Sequence, residues 1–189
     1  MKISKIKQQL HDGGFNCNYN YKKYGAKHSS LHSTLSMIEG FNSYITNGYT
    51  YRLEEIKKMR ADSIEFILKH HLYKSDRTGE IINPKFLMLS YPPRWKFDIL
   101  RALEAFRDAG IKYDSRMQDA FDVILSKRLK DGTWPIQNKH TGRVHFDMEK
   151  IGSSSRWNTL RVLRVLKHFF PNINFYFESS FPCDRFCFK

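Results

Sequence analysis

Apolar residues recur at three- and four-residue steps through most of the chain, a spacing that is typical of amphipathic helices. Ile64, Ile67 and Leu68 form one such series, and Phe121 and Ile124 belong to another. The period-two alternation of a half-buried strand is not sustained anywhere over a comparable length. The pattern therefore predicts an all-α protein.

The chain contains a repeat of roughly 60 residues, which is typical of helical-repeat architectures. Aligning Thr34, Asp98 and Thr159 places a leucine or isoleucine one residue later in each copy, at intervals of 98 − 34 = 64 and 159 − 98 = 61 residues. Each copy predicts one helix that is apolar over a wide arc, and such an arc indicates burial between two layers. The three predicted inner helices begin near residues 29, 94 and 156.

Two further helices, predicted at about 52–72 and 115–130, each carry a charged face. A charged face belongs toward solvent, so we assign both helices to an outer layer. Two long connections, from about 73 to 93 and from 131 to 153, lead into predicted inner-helix starts. Because long connections of compact domains often carry function, we expect these two to form the walls of a site.

Residues 1–170 fit one helical-repeat domain of about three helix pairs, and residues 171–189 form an aromatic-rich tail outside the repeat. A curved layer of three pairs leaves its first and last apolar faces uncovered. Monomers seldom expose apolar patches larger than a few hundred Å². We therefore expect a homodimer through the open edge, with the tail as an alternative cover.

Two segments share a polar residue, a glycine four positions later and an aromatic residue two positions after that: Gln9-x3-Gly13-x-Phe15 and Arg128-x3-Gly132-x-Trp134. The first resembles the Q-x3-G-x-W signature of squalene and terpenoid cyclases, a superfamily shared with the β subunits of protein prenyltransferases. The second has arginine in place of the glutamine. The resemblance implies an α/α toroid around a central cavity, here shortened to about half a ring. It also implies that both segments are structural turns between an outer helix and the next inner helix.

The catalytic motifs of the resembled enzymes do not occur in the chain. Asp-x-Asp-Asp, Asp-Asp-x-x-Asp and the zinc-binding Asp-x-Cys pair are all absent from the sequence. Cys17, His28 and His32 are weak candidates for a metal, because thiolate and imidazole suit zinc, or for a thiolate nucleophile with a histidine partner. A buried thiol and a histidine near a helix start explain the same residues. We expect no metal and no cofactor, and whether the protein is an enzyme stays open.

The dipeptide Arg-Trp occurs twice, each time at a predicted inner-helix start. A helix N-terminus presents unsatisfied amides and the positive end of the dipole. Arginine there favours an anion, and tryptophan adds an apolar wall. Together with the resemblance, this predicts an apolar, isoprenoid-type ligand with a phosphate or carboxylate head in the concave face. The alternative is that these arginines pair with a neighbouring carboxylate and the tryptophans fill the core. The candidate ligand-binding residues are His32, Arg94, Trp95, Asp98, Arg156 and Trp157.

The formal net charge of +13 over 189 residues widens the choice of partners. A strongly basic protein suits nucleic acid, an anionic membrane surface or a phosphorylated ligand. One alternative is therefore a basic helical-repeat module that grips nucleic acid on its concave side. The apolar inner helices disfavour it, since they are not lined with lysine. Another alternative is an interaction protein whose open edge docks on a second chain.

The location follows from what the sequence lacks. No apolar run approaches the roughly 20 residues that a membrane-spanning helix needs. The first residues lack the apolar stretch of a signal peptide. Three cysteines at wide spacings fit a reducing compartment better than a disulfide framework. We therefore expect a cytoplasmic protein without a transmembrane segment.

Overall fold

The computed structural model describes residues 8–17, 25–140, 142 and 144–172, and this part of the chain is mostly helical, as the periodicity predicts. The regular structure also includes 3₁₀ segments at Pro84–Leu87 and Ser115–Met117 and two strands of two residues each. The predicted C-terminal tail lies almost wholly outside the described residues. The helices are α1 (Leu31–Thr46), α2 (Leu53–Lys69), α3 (Ile99–Asp108), α4 (Gln118–Ser126) and α5 (Arg156–Phe169), and the strands are β1 (Trp134–Pro135) and β2 (Ser154–Ser155).

The helix α3 is the centre of the packing. It contacts α1 on one side and α5 on the other, so its apolar residues are buried almost all the way round. The prediction of a wide buried arc is confirmed for α3. It is wrong for α5, where Leu160 is 50% exposed, because α5 packs on α3 and β1 and leaves its opposite face to solvent. The helix α1 likewise buries one stripe, against α2 and α3.

The start of α3 differs from the prediction. Asp98 is the N-cap, and its carboxylate accepts a hydrogen bond of 2.8 Å from the backbone N–H of Arg101. The helix therefore begins at Ile99, and Arg94 and Trp95 lie in the preceding connection. Arg94 has a left-handed backbone with φ of 52°, which no helix interior accepts. The placement of Arg94-Trp95 at a helix start was thus wrong.

The chain makes a tight turn at residues 9–15. Gly13 has φ of 89°, and its N–H donates to the carbonyl of Leu10 at 2.9 Å. The Gln9 side-chain amide donates to the Gly13 carbonyl at 2.6 Å. The backbone N–H of Phe15 then donates to Thr34 Oγ1 at 2.9 Å, which ties the turn to α1.

The turn at residues 128–134 contains an equivalent of each of these three hydrogen bonds. Gly132 has φ of 82°, and its N–H donates to the carbonyl of Leu129 at 2.9 Å. Arg128 Nε donates to the Gly132 carbonyl at 3.2 Å, so arginine supplies the donor that glutamine supplies in the first copy. The N–H of Trp134 donates to Thr159 Oγ1 of α5 at 2.9 Å. The alignment of Thr34 with Thr159 is therefore structural.

The two long connections lie side by side. Ser90 and Asn138 form an isolated parallel β-bridge, and the N–H of Gln137 donates to the carbonyl of Leu89 at 2.9 Å. The same region carries the β1–β2 pair, in which Trp134 lies opposite Ser155. This pairing brings together residues about 50 positions apart in the sequence. Across the described ranges, no helix has the length and apolar character that crossing a bilayer requires.

Candidate functional site

A cavity of about 330 Å³ opens where the two long connections meet the first turn of α1. Its walls combine cationic side chains, histidines, amides and aromatic rings from residues far apart in sequence. We call it the basic pocket. Its walls are His32, Asn83, Lys85, Phe86, Arg94, Trp95, Lys96, Phe97, Asn138, Lys139 and His140.

The charge of the basic pocket has one sign. Lys85, Arg94, Lys96 and Lys139 line it, and no described Asp or Glu is among its walls. Lys139 Nζ forms an ion pair with the carboxylate of Asp147 at 2.8 Å. Several positive charges around one concavity create a potential that attracts anions.

Arg94 is held in an unusual conformation at this wall. Its φ of 52° lies in the left-handed region, where non-glycine residues are uncommon and which is often a mark of functional sites. Gly142 lies against the guanidinium, and a Cβ at that position would stand 2.5 Å from Arg94 Nη1. Gly142 therefore lets the arginine lie close to the second connection.

His32 has a fixed tautomer in its neutral form. The backbone N–H of Phe97 donates to His32 Nδ1 at 2.7 Å, and a backbone N–H can only donate. Nδ1 therefore carries a lone pair, and the neutral ring has its proton on Nε2. Burial lowers the pKa of His32, and the charges of Lys96 and Arg101 and the nearby His140 lower it further. The ring packs edge-on against Phe86, with centroids 5.3 Å apart.

The Nε2 atom of His140 is buried and has no hydrogen-bond partner among the described residues. Its Nδ1 faces the side-chain nitrogen of Asn138 at 3.5 Å, and that amide also donates to Ser90 Oγ at 3.1 Å. The amide orientation favours a lone pair on Nδ1 and the proton on Nε2. Burial lowers the pKa of His140, followed by the charges of Lys96, Arg94 and Lys85. A buried donor without an acceptor is costly, so this nitrogen favours an acceptor that the described residues do not supply.

A second cavity, of about 410 Å³, adjoins the first and shares His32 and Trp95 with it. We call it the adjacent cavity. Trp95 is 61% exposed, and its ring centroid lies 5.5 Å from that of His32 and 4.0 Å from Lys96 Nζ. The other walls are Gln8, Phe15, Asn16, Cys17, Ser30, Ser33, Ser36 and Met37.

The candidate metal residues do not form one group. Cys17 and His32 line the adjacent cavity, whereas His28 lines a different cavity of about 640 Å³ beside Asp12 and His70. Within the ranges that the structure describes, no three His, Cys, Asp or Glu side chains lie close enough to hold a metal ion.

Arg156 and Trp157 begin α5, as predicted, yet they do not line the basic pocket. The backbone N–H of Arg156 donates to the Glu149 carboxylate at 2.9 Å, so a residue of the chain itself supplies the anion at this helix start. Trp157 stacks on Tyr91, with ring centroids 5.3 Å apart and planes 3° apart. The two Arg-Trp dipeptides thus have different surroundings.

Asp98 lies beneath the surface, not on the pocket wall. It is 1% exposed, with one carboxylate oxygen capping α3 and the other, Oδ2, buried without a hydrogen bond. Burial raises its pKa to about 6, against the attraction of the buried Arg161. Arg161 itself donates to Glu104 at 2.9 Å and to the Ser90 carbonyl at 3.1 Å. The arginines closest to Asp98 in this network come from α3 and α5, and Arg94 is not among the charges that shift its pKa.

Most of the cationic wall could not be predicted residue by residue from the sequence. Lys85, Lys96, Lys139 and His140 lie in or beside the two long connections, where no periodicity or repeat singles out a residue. The length of the two connections predicted only that they form the walls of a site, and both do line the basic pocket. Comparisons of the chain with known protein families, with curated proteins and with solved structures found no match.

Proposed function

We propose that the protein binds a small ligand with an anionic head, a phosphate or a carboxylate, and an apolar, isoprenoid-type body. The head occupies the basic pocket, and the body runs past Trp95 into the adjacent cavity. The observation that carries the proposal is the shared wall: His32 and Trp95 line both a cationic cavity and its neighbour. The row α1–α3–α5, with α2 packed outside α1, supports a toroid-like half ring as the scaffold.

The two cavities differ in what they offer a ligand. Lys85, Arg94 and Lys96 supply charge to the first. Phe15 and Met37 supply apolar surface to the second. Burying apolar ligand surface contributes about 25 cal/mol per Å², whereas the charged groups fix the orientation of the head. No catalytic residue is assigned, because the acidic and zinc-binding motifs of the resembled enzymes are absent from the chain.

The test is calorimetric titration with geranyl diphosphate, pyrophosphate and geraniol. We expect geranyl diphosphate to bind more tightly than either half alone, since it fills both cavities. Arg94→Ala should weaken binding of both phosphorylated compounds by roughly 10- to 100-fold, the value of a hydrogen bond to a charged group. Trp95→Leu should weaken the binding of geranyl diphosphate more than the binding of pyrophosphate.

The chain supplies matched controls in its second Arg-Trp dipeptide. Arg156→Ala and Trp157→Leu make the same chemical changes outside the basic pocket. Both should leave all three affinities unchanged. If these controls weaken binding as much as the pocket variants do, the effect comes from net charge or stability and the proposed site is wrong.

Single-stranded nucleic acid is the second candidate, because Trp95 is exposed beside Lys96 and Arg94. Bases stack on exposed aromatic side chains while lysine and arginine contact the backbone. Such binding weakens steeply with salt. Titration with a labelled oligothymidine at several salt concentrations distinguishes the two candidate ligands. Nucleic acid would be favoured if the oligothymidine binds tightly and in a salt-dependent way, if Trp95→Leu abolishes this binding, and if geranyl diphosphate does not bind.

A further inference from the structure

The basic pocket contains two histidines whose hydrogen bonds leave Nε2 as the donor. At His32, the Phe97 N–H occupies Nδ1. At His140, the Asn138 amide nitrogen faces Nδ1, and the buried Nε2 has no partner among the described residues. A neutral imidazole in this tautomer donates one hydrogen bond without carrying charge. Both rings line the same cavity.

Burial, and after it the cations around the two rings, lower the pKa of both histidines and favour that neutral form. His32 faces Lys96 and Arg101, and His140 faces Lys96, Arg94 and Lys85. Each charge disfavours a further positive charge on the imidazoles. The pocket thus combines fixed positive charges with two uncharged donors at separate points.

This combination fits a head group with several acceptor oxygens and more than one negative charge. A carboxylate has two oxygens and one charge, and its oxygens share one plane. A phosphoryl group has three terminal oxygens in a tetrahedral arrangement and about two charges. We propose that the head group bound in the basic pocket is a phosphomonoester or diphosphate, held by the Nε2–H groups of neutral His140 and His32 together with the surrounding cations. This assignment rests on the proposed function of the same pocket.

If the histidines donate hydrogen bonds to the head group, they act neither as a general base nor as metal ligands. Nδ1 accepts from the backbone N–H of Phe97 in His32 and faces the side-chain amide of Asn138 in His140. An imidazole in either position, with Nε2 donating to the ligand, has no free lone pair. It therefore acts neither as a general base toward that ligand nor as a metal ligand while the head group is bound. The histidines recognise the phosphoryl oxygens and orient the head against Arg94.

The experiment compares pyrophosphate with malonate, a dicarboxylate, by calorimetry on the full chain. We expect pyrophosphate to bind at least tenfold more tightly. His140→Phe should lower the affinity for pyrophosphate about tenfold, since one hydrogen bond to a charged group is lost. His140→Gln should recover most of this loss, because its amide can place an N–H near the position of Nε2. Malonate binding should change little in either variant.

A second measurement uses the unaltered protein and so does not depend on whether the variants fold. In the unaltered protein, ¹⁵N NMR of the imidazoles with pyrophosphate bound at pH 7 should show both His32 and His140 as neutral Nε2–H tautomers. Imidazolium signals, or the Nδ1–H tautomer, would overturn the assigned donors. Equal affinity for malonate and pyrophosphate would overturn the phosphoryl assignment.

The proposed function and this inference fail in different ways. If Arg94→Ala weakens the binding of both anions while the unaltered protein binds malonate and pyrophosphate with equal affinity, the anion site stands and the assignment of a phosphoryl head group is wrong. If His140→Phe folds and binds pyrophosphate as the unaltered protein does while Arg94→Ala does not, the histidine role alone is wrong. If neither anion binds, both the proposed function and the inference are wrong.

Discussion

The backbone N–H of Phe97 donates to Nδ1 of His32 at 2.7 Å, which joins the segment before α3 to the first turn of α1. The bond connects residues 65 positions apart and satisfies a backbone donor in a residue that is almost fully buried. It also orients the imidazole that the basic pocket and the adjacent cavity share. One hydrogen bond therefore serves both the packing of two helices and the geometry of the site.

Replacing His32 tests this relationship. His32→Phe removes the acceptor and leaves the Phe97 N–H unpaired, which should lower the free energy of unfolding by about 1–3 kcal/mol. His32→Asn keeps an acceptor near the position of Nδ1 and should lose less. Urea denaturation of the three proteins measures the difference. Equal losses in both variants would show that the hydrogen bond contributes nothing beyond the ring contacts.

Asp98 predicts an unusual dependence of stability on pH. Its pKa in the folded protein is about 6, above its ordinary value of 3.8, so the folded state binds the proton more tightly than the unfolded state does. The carboxyl therefore contributes most to stability below pH 4, and this contribution is lost as the pH rises through 6. The full penalty above pH 6 is on the order of 3 kcal/mol, from about 1.36 kcal/mol per pKa unit.

Asp98→Asn isolates that contribution. Asparagine keeps an oxygen that can cap Arg101 but cannot ionise. Between pH 4 and 6, the free energy of unfolding should therefore fall less, or rise more, than in the unaltered protein. Asp108→Asn, on the exposed end of α3, is the control and should leave the profile unchanged. An unaltered profile in Asp98→Asn would mean that Asp98 ionises normally in the folded state.

Trp134 should be among the most costly residues to truncate. It is 1% exposed, and its indole N–H donates to the carbonyl of Ile124 at 2.7 Å. Trp134→Ala should destabilise by roughly 3–5 kcal/mol, as truncations of large buried aromatics do. Trp157→Ala, a partly exposed tryptophan stacked on Tyr91, should cost far less. Thermal and urea unfolding give both values. An unchanged denaturation midpoint with lost ligand binding would instead place Trp134 in the site.

Self-association remains a prediction, and the structure suggests where to look. Val144, Phe146, Met148 and Ile151 are exposed apolar residues in the segment before α5. We expect sedimentation across a wide concentration range to show a dimer that Phe146→Ser weakens. Tyr51→Ser, at an exposed tyrosine before α2, is the control and should not weaken it. A monomer at every concentration, without binding of a dye that reports apolar surface, would contradict the open-edge hypothesis.

The sequence alone predicted the features that local patterns encode. The three- and four-residue steps placed the helices to within a few residues for α1, α2 and α5. The alignment of Thr34 with Thr159 is matched in the structure by equal hydrogen bonds from Phe15 and Trp134. These features depend on burial periodicity, glycine conformation and side chains a few positions away, all of which can be inferred along the chain.

The site could be predicted only in part. His32, Arg94 and Trp95 were named from the sequence and do line one pocket. The identical dipeptide Arg156-Trp157 was expected to act in the same way. In the structure, however, the carboxylate of Glu149 accepts a hydrogen bond from the backbone N–H of Arg156. Nothing in two equal dipeptides tells which helix start a carboxylate of the chain will reach, because that depends on how a loop folds back.

The tertiary structure decided where the charges meet. Lys85, Lys139 and His140 come together because Ser90 pairs with Asn138 and Gln137 bonds to Leu89. Such pairing between distant loops leaves no periodic trace in the sequence, since each loop residue is fixed by a partner about 50 positions away. The helices and corners are thus determined by local chemistry along the chain, whereas the basic pocket exists only because long-range backbone hydrogen bonds hold two irregular segments side by side.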